Sequence, residues 1–181
     1  MKTTKKITAA ILFALALFSF NAAKAQETTP NYDQGFRLGF GLSGGYSTEK
    51  PYKLALGADA RLQYDLTKRY SVTLTTGFTN LFVSENEGKD LGFVPAKAGL
   101  KAFVWNDQFY ITGEAGAAFP VTNKYNQISF LVSPGIGYAN KYIDISARYE
   151  HYSDFPTINS DGSAGQGAGQ VSLRLAYGFK L

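Results

Sequence analysis

The chain has 181 residues with 18 Lys+Arg, 14 Asp+Glu, one His and no cysteine. The missing cysteines exclude disulfides, thiolate metal sites and cysteine catalysis together. The formal charge of +4 belongs to the N-terminus: Lys2, Lys5, Lys6 and Lys24 lie in the first 25 residues with no acid, leaving 14 bases against 14 acids. That balance gives no case for nucleic acid as a partner.

The first element is an export signal. Lys2, Lys5 and Lys6 precede an apolar run from Ile7 to Phe20, and Ala23-Lys24-Ala25 follows. A basic segment, a short apolar core and small residues before Gln26 predict a signal peptide over residues 1–25, with cleavage after Ala25. The apolar run is too short to cross a bilayer as a helix. The expected mature domain is residues 26–181, opening on a polar lead-in that contains Pro30.

From Phe36 onward the period is two, the mark of strands with unlike faces. Phe36, Leu38, Phe40 and Leu42 alternate with Arg37, Gly39, Gly41 and Ser43. The second strand runs from Leu54 to Tyr64 with Asp59 and Arg61 on its polar side, and the third from Tyr70 to Thr79. The fourth, Val94 to Val104, carries Lys97 and Lys101, and the fifth, Phe109 to Phe119, carries Glu114. The sixth runs from Ile128 to Tyr138, and Pro134 within it predicts a bulge, because proline has no ladder donor. The seventh, Ile143 to Tyr152, carries Asp144, Arg148 and Glu150. The eighth, Val171 to Leu181, alternates without a break and carries Arg174 and Lys180. Short connections are predicted at Asp65–Arg69, Trp105–Gln108 and Asn140–Tyr142, longer ones at Ser43–Lys53, Ser84–Leu91, Thr122–Gln127 and Ser153–Gln170.

These strands predict an all-β fold: an eight-stranded antiparallel transmembrane β-barrel with short periplasmic turns and longer extracellular loops. Every charge within the predicted strands falls in the polar row (Arg37, Asp59, Arg61, Lys97, Lys101, Glu114, Asp144, Arg148, Glu150, Arg174 and Lys180) and aromatic residues gather at the ends of the apolar rows. A membrane barrel puts the apolar row in lipid and the charges in its lumen. The charged row is expected to form a network that leaves no wide pore.

The closing strand, Val171–Leu181, with Tyr177 and Phe179 near its end, resembles the C-terminal strand of outer-membrane β-barrels. That resemblance implies recognition by the barrel-assembly machinery. The whole of residues 26–181 resembles the small outer-membrane β-barrel domain (porin-like) family. It implies a protein of a Gram-negative outer membrane, in contact with its lipid and lipopolysaccharide, monomeric, with a structural or surface-interaction role and no cofactor.

One stretch suggests chemistry. His151 and Ser153 are two apart on the seventh strand and share a face, so a base stands beside a potential nucleophile. The run His151-Tyr152-Ser153 is similar to the motif of the lipid A 3-O-deacylases, which implies, as an alternative, an esterase using His151 and Ser153. The motif's Asn is Asp154 here, and the acid expected near Gln170 or Val171 is missing. Asp154 and Glu150 are the candidates for the acid that would orient the imidazole. No carboxylate–His spacing suggests a metal site.

Overall fold

The computed structural model describes residues 35–83, 89–104, 108–122, 127–159 and 161–181. The expected signal peptide lies outside them, as do parts of the connections expected at Ser84–Leu91, Trp105–Gln108 and Thr122–Gln127. Eight strands follow in order: β1 Phe36–Ser47, β2 Tyr52–Asp65, β3 Tyr70–Val83, β4 Leu91–Val104, β5 Phe109–Pro120, β6 Ser129–Ala139, β7 Ile143–Ile158 and β8 Ala164–Lys180. Each pairs antiparallel with the next, and β8 pairs with β1, so the sheet is a closed barrel with no edge.

Paired residues can be followed around the wall through Leu38, Leu62, Leu74, Ala98, Ala115, Val132, His151 and Gly169. The circuit closes where the Thr48 N–H donates to the Gly169 carbonyl, ten residues above its start. That stagger tilts the strands and sets the barrel's girth.

The alternation sorts the faces as expected. Phe40, Leu42, Leu74, Ile111, Ile136, Leu173 and Leu175 stand outside and exposed, while Arg61, Lys97, Lys101, Glu114, Arg148, Glu150 and Arg174 are buried in the lumen. At the end carrying the start of β1 and the end of β8, here the turn end, outward aromatics pair between neighbouring elements. Phe36 meets Tyr64 with ring centres 4.7 Å apart, Phe109 meets Tyr138 at 5.2 Å, and Tyr142 stacks on Tyr177 at 6.0 Å.

Three expectations are corrected. Pro134 causes no bulge: β6 keeps one register against β7 on both sides of it, and only the pairing at 133 and 134 lapses. Losing the proline's own donor is accommodated without inserting a residue. The connections expected as long loops at Ser43–Lys53 and Ser153–Gln170 are mostly strand, leaving only residues 48–51 and 159–163 between strands. Gly and Ser there read as flexible in sequence, yet backbone pairing at this end needs no bulky side chain. The bulge falls instead in β7, where Tyr152 faces Ala168 and Pro156 faces Gln166, four residues against two.

Inward glycines make room for large partners. A Cβ on Gly99 would lie 2.6 Å from the Glu114 Cγ, and one on Gly137 would lie 2.4 Å from the Tyr110 hydroxyl. Small pairs with large on neighbouring strands, which lets eight strands enclose this many long side chains.

Candidate functional site

The lumen has two storeys. The polar storey occupies the middle and the turn end. Arg61 donates to Glu114 at 2.9 Å, and Thr75 donates to the same carboxylate at 3.0 Å. Lys97 bridges Glu114 at 3.4 Å and Glu150 at 2.7 Å. Arg148 approaches Glu114 at 3.5 Å and Glu150 at 3.9 Å. Glu150 also accepts from Tyr152 at 3.1 Å and from Gln170.

A second group lies beside this one. Both carboxylate oxygens of Asp59 accept from Arg174 Nε, at 3.0 and 2.8 Å. Arg174 also lies 3.8 Å from Asp144, which accepts from Lys101 and, at 2.6 Å, from the Tyr110 hydroxyl. The Lys101 ammonium sits 4.2 Å from the centre of the Tyr110 ring. At the turn end Arg37 pairs with Asp65 at 2.9 Å, and Asp65 accepts from Ser71 and Gln63 at 2.6 Å each. Nine of the ten residues predicted as the lumen network fall in the two ion-pair groups, while Arg37 pairs apart from them with Asp65 of β2. The eleventh charge of the polar row, Lys180, is exposed at the end of β8. Buried ions are tolerable only when paired and hydrogen-bonded, and each of these buried charges has at least one opposite charge within 4 Å.

The upper storey was not anticipated. Tyr52, Leu81, Leu91, Phe93, Leu131, Tyr152 and Phe155 form a buried apolar cluster inside the loop end, closed by Ala55, Ala118 and Ala168. Phe93 packs edge-on against Tyr152 at 5.0 Å and Phe155 at 5.1 Å, while Tyr152 and Phe155 stack at 4.9 Å. Plain alternation turns Tyr152 inward, and the β7 bulge after it brings Phe155 to the same side. A signal existed in the inward parity of β3, β4 and β6, which places Leu81, Leu91, Phe93 and Leu131 in the lumen once the strands are extended.

His151 and Ser153 lie at the loop end of β7, with His151 half-buried and Ser153 exposed. The His151 ring rests over Gly167, 3.6 Å from where a Cβ would stand. Gly167 has φ of +101°, a conformation that favours glycine, so the ring lies over a backbone without a side chain. Neither acid candidate reaches the imidazole. Glu150 is held in the lumen by Lys97, Tyr152 and Gln170. Asp154 turns toward β6, where its carboxylate accepts from the Phe130 N–H at 3.3 Å and its own N–H donates to Ser129 at 3.0 Å. The bulge brings Asp154 against β6.

No family model matches the sequence, and no curated protein matches it. Solved structures do resemble it. The N-terminal β-barrel domain of Pseudomonas aeruginosa OprF is 11% identical, with 81% of this chain and 100% of that one covered and a TM-score of 0.55. Yersinia pestis Ail, the attachment invasion locus protein, is 18% identical over 81% of this chain and 100% of its own, with a TM-score of 0.52. A de novo designed transmembrane β-barrel is 16% identical, over 81% and 98%, with a TM-score of 0.50. The fold is that of the small membrane-spanning β-barrels. At these identities the likeness reaches the fold and stops there, since one fold hosts many functions.

Proposed function

We propose that this chain is an integral outer-membrane β-barrel of a Gram-negative cell, exported by a cleaved signal peptide over residues 1–25, with a structural or surface-interaction role. The observation that carries the reading is the division of the barrel wall. Outside it is apolar and ringed with aromatics, as lipid requires. Inside it is filled by paired charges and an aromatic plug, which argues against a wide pore. In hydrocarbon every backbone donor and acceptor must be bonded within the protein, and a closed barrel does this.

The connections that follow β2, β4 and β6 then face the periplasm with the start of β1 and the end of β8, and the four remaining connections face outward. The surface role belongs to those connections, and the β7–β8 hairpin carries it furthest because its strands are the longest, at 16 and 17 residues. The closing strand Val171–Leu181 would engage the assembly machinery, and a monomer embedded in lipid and lipopolysaccharide is the expected state. The lipid A deacylase-like reading is not adopted, because Glu150 and Asp154 are both committed elsewhere.

Labelling of engineered cysteines tests the reading. Asp161→Cys should react with an impermeant reagent on intact cells, and Lys68→Cys only after the outer membrane is permeabilised. Recovery of the protein in the soluble fraction, or the reverse labelling pattern, would overturn it.

A further inference from the structure

The two ion-pair groups of the lumen differ in charge. Arg174 and Lys101 balance Asp59 and Asp144. In the other group three cations, Arg61, Lys97 and Arg148, share only two carboxylates, Glu114 and Glu150. One positive charge is therefore left over in the middle of the barrel, because the neighbouring carboxylates Asp59 and Asp144 are already matched by Arg174 and Lys101.

The surplus coincides with idle donors. Arg148 is buried, and its Nε and Nη1 have no hydrogen-bond partner among the described residues. Ser172 stands directly across from Arg148 on β8, and Ser146 precedes it by two on the same inward row. Both hydroxyls are buried and make no hydrogen bond of normal geometry among the described residues, as is true of Ser133 on β6. Opposite Arg148 on its other side is Gly135, which offers no side chain at all. A guanidinium can only donate, and a serine hydroxyl can donate freely. Water could satisfy the donors, but water would leave the charge, and an uncompensated buried charge is among the costliest features a core can hold.

We infer that the lumen binds one small monovalent anion, of halide size, beside Arg148 and within reach of Ser146 and Ser172. One negative charge brings the group of Arg61, Lys97, Arg148, Glu114 and Glu150 to neutrality. A divalent phosphate or sulfate would overshoot that balance. The ion completes the polar storey of the core, and this role is independent of what the outer connections bind.

The test is refolding of the whole chain into detergent micelles in chloride, bromide or gluconate at matched ionic strength. The wild type should show a higher unfolding midpoint in chloride and bromide than in gluconate, because a ligand that binds only the folded state stabilises it. Arg148→Gln should lose that difference by removing the donors. Lys97→Met should lose it by a separate route, since it removes the surplus charge and leaves Arg148 in place. Crystals grown in bromide should show an anomalous peak within hydrogen-bonding distance of Arg148. Equal wild-type midpoints in all three salts would overturn the inference, as would an undiminished halide response in both variants or a Br-free site occupied by water. Should Arg148→Gln not fold, the wild-type comparison, Lys97→Met and the bromide signal decide the matter.

Discussion

At the residue scale, the interior is governed by who faces whom. Glu114 is the most heavily shared carboxylate, meeting Arg61, Lys97 and Arg148. Glu114→Gln should therefore destabilise the barrel by about 3–5 kcal/mol, because it strands buried cations rather than merely deleting a bond. Adding Arg61→Met should recover part of the loss, and urea unfolding of the two single variants and the double variant measures the coupling. Glycines make a second comparison. A Cβ on Gly116 would stand 1.9 Å from the Ala96 carbonyl oxygen and 2.8 Å from the Lys97 Cα, both backbone atoms that cannot swing aside. On Gly113 it would meet nothing within 4 Å. Gly116→Ala should cost at least about 1–3 kcal/mol, whereas Gly113→Ala should be neutral or mildly stabilising. The fraction of heat-modifiable folded protein on gels separates them, and equal behaviour would mean the β4–β5 wall is less tightly packed than described.

At the element scale, strand identity was legible from β1 to β6 because alternation survives wherever one face meets lipid. Its extent failed at the loop ends, where β1 and β2, and more so β7 and β8, run on through residues expected as loop. Asn159, Gly162, Ser163 and the glycines beyond them look like loop in sequence, and only pairing with a partner strand makes Ala164–Gln170 extended. The β7 bulge was equally hidden. Pro156 marked a disturbance, but not that Phe155 would swing inward and Asp154 toward β6. The outward pairing of His151 with Ser153 followed from parity alone, while the fate of their acid candidates depended on that bulge. The specific partners inside the lumen could not be read at all, since each ion pair joins residues brought together by register and stagger. The outer face gives the prediction at this scale. Leu42 is strongly exposed near the middle of β1, and Phe36 begins the same strand at the aromatic ring. Leu42→Arg should cost about 2–4 kcal/mol and Phe36→Arg about 0–1 kcal/mol plus its contact with Tyr64. Urea titrations in lipid vesicles measure both, and equal costs would mean Phe36 lies deeper than the interface.

At the scale of the whole molecule, the proposed reading makes the two storeys seals in series, and the passage through a series is set by its narrowest part. The apolar plug closes the loop end around Phe93, Tyr152 and Phe155. The charged layer closes the middle, with Arg61, Glu114, Lys97 and Glu150 linked from β2 through β5 and β4 to β7. Removing one seal should leave the other intact. Phe93→Ala with Phe155→Ala should lower stability, since each truncated ring leaves a cavity worth about 3–5 kcal/mol. The folded fraction of that variant should nevertheless remain non-conducting in planar bilayers, because the ion pairs below still bridge the lumen. Conductance of porin size should be absent from the wild type and from the plug variant alike. It should appear only when Lys97→Ala and Glu150→Ala are added to the plug variant, opening both storeys on the side of β4 and β7. A plug variant that conducts on its own would show that the charged layer is permeable and that the aromatic cluster is the barrel's only barrier.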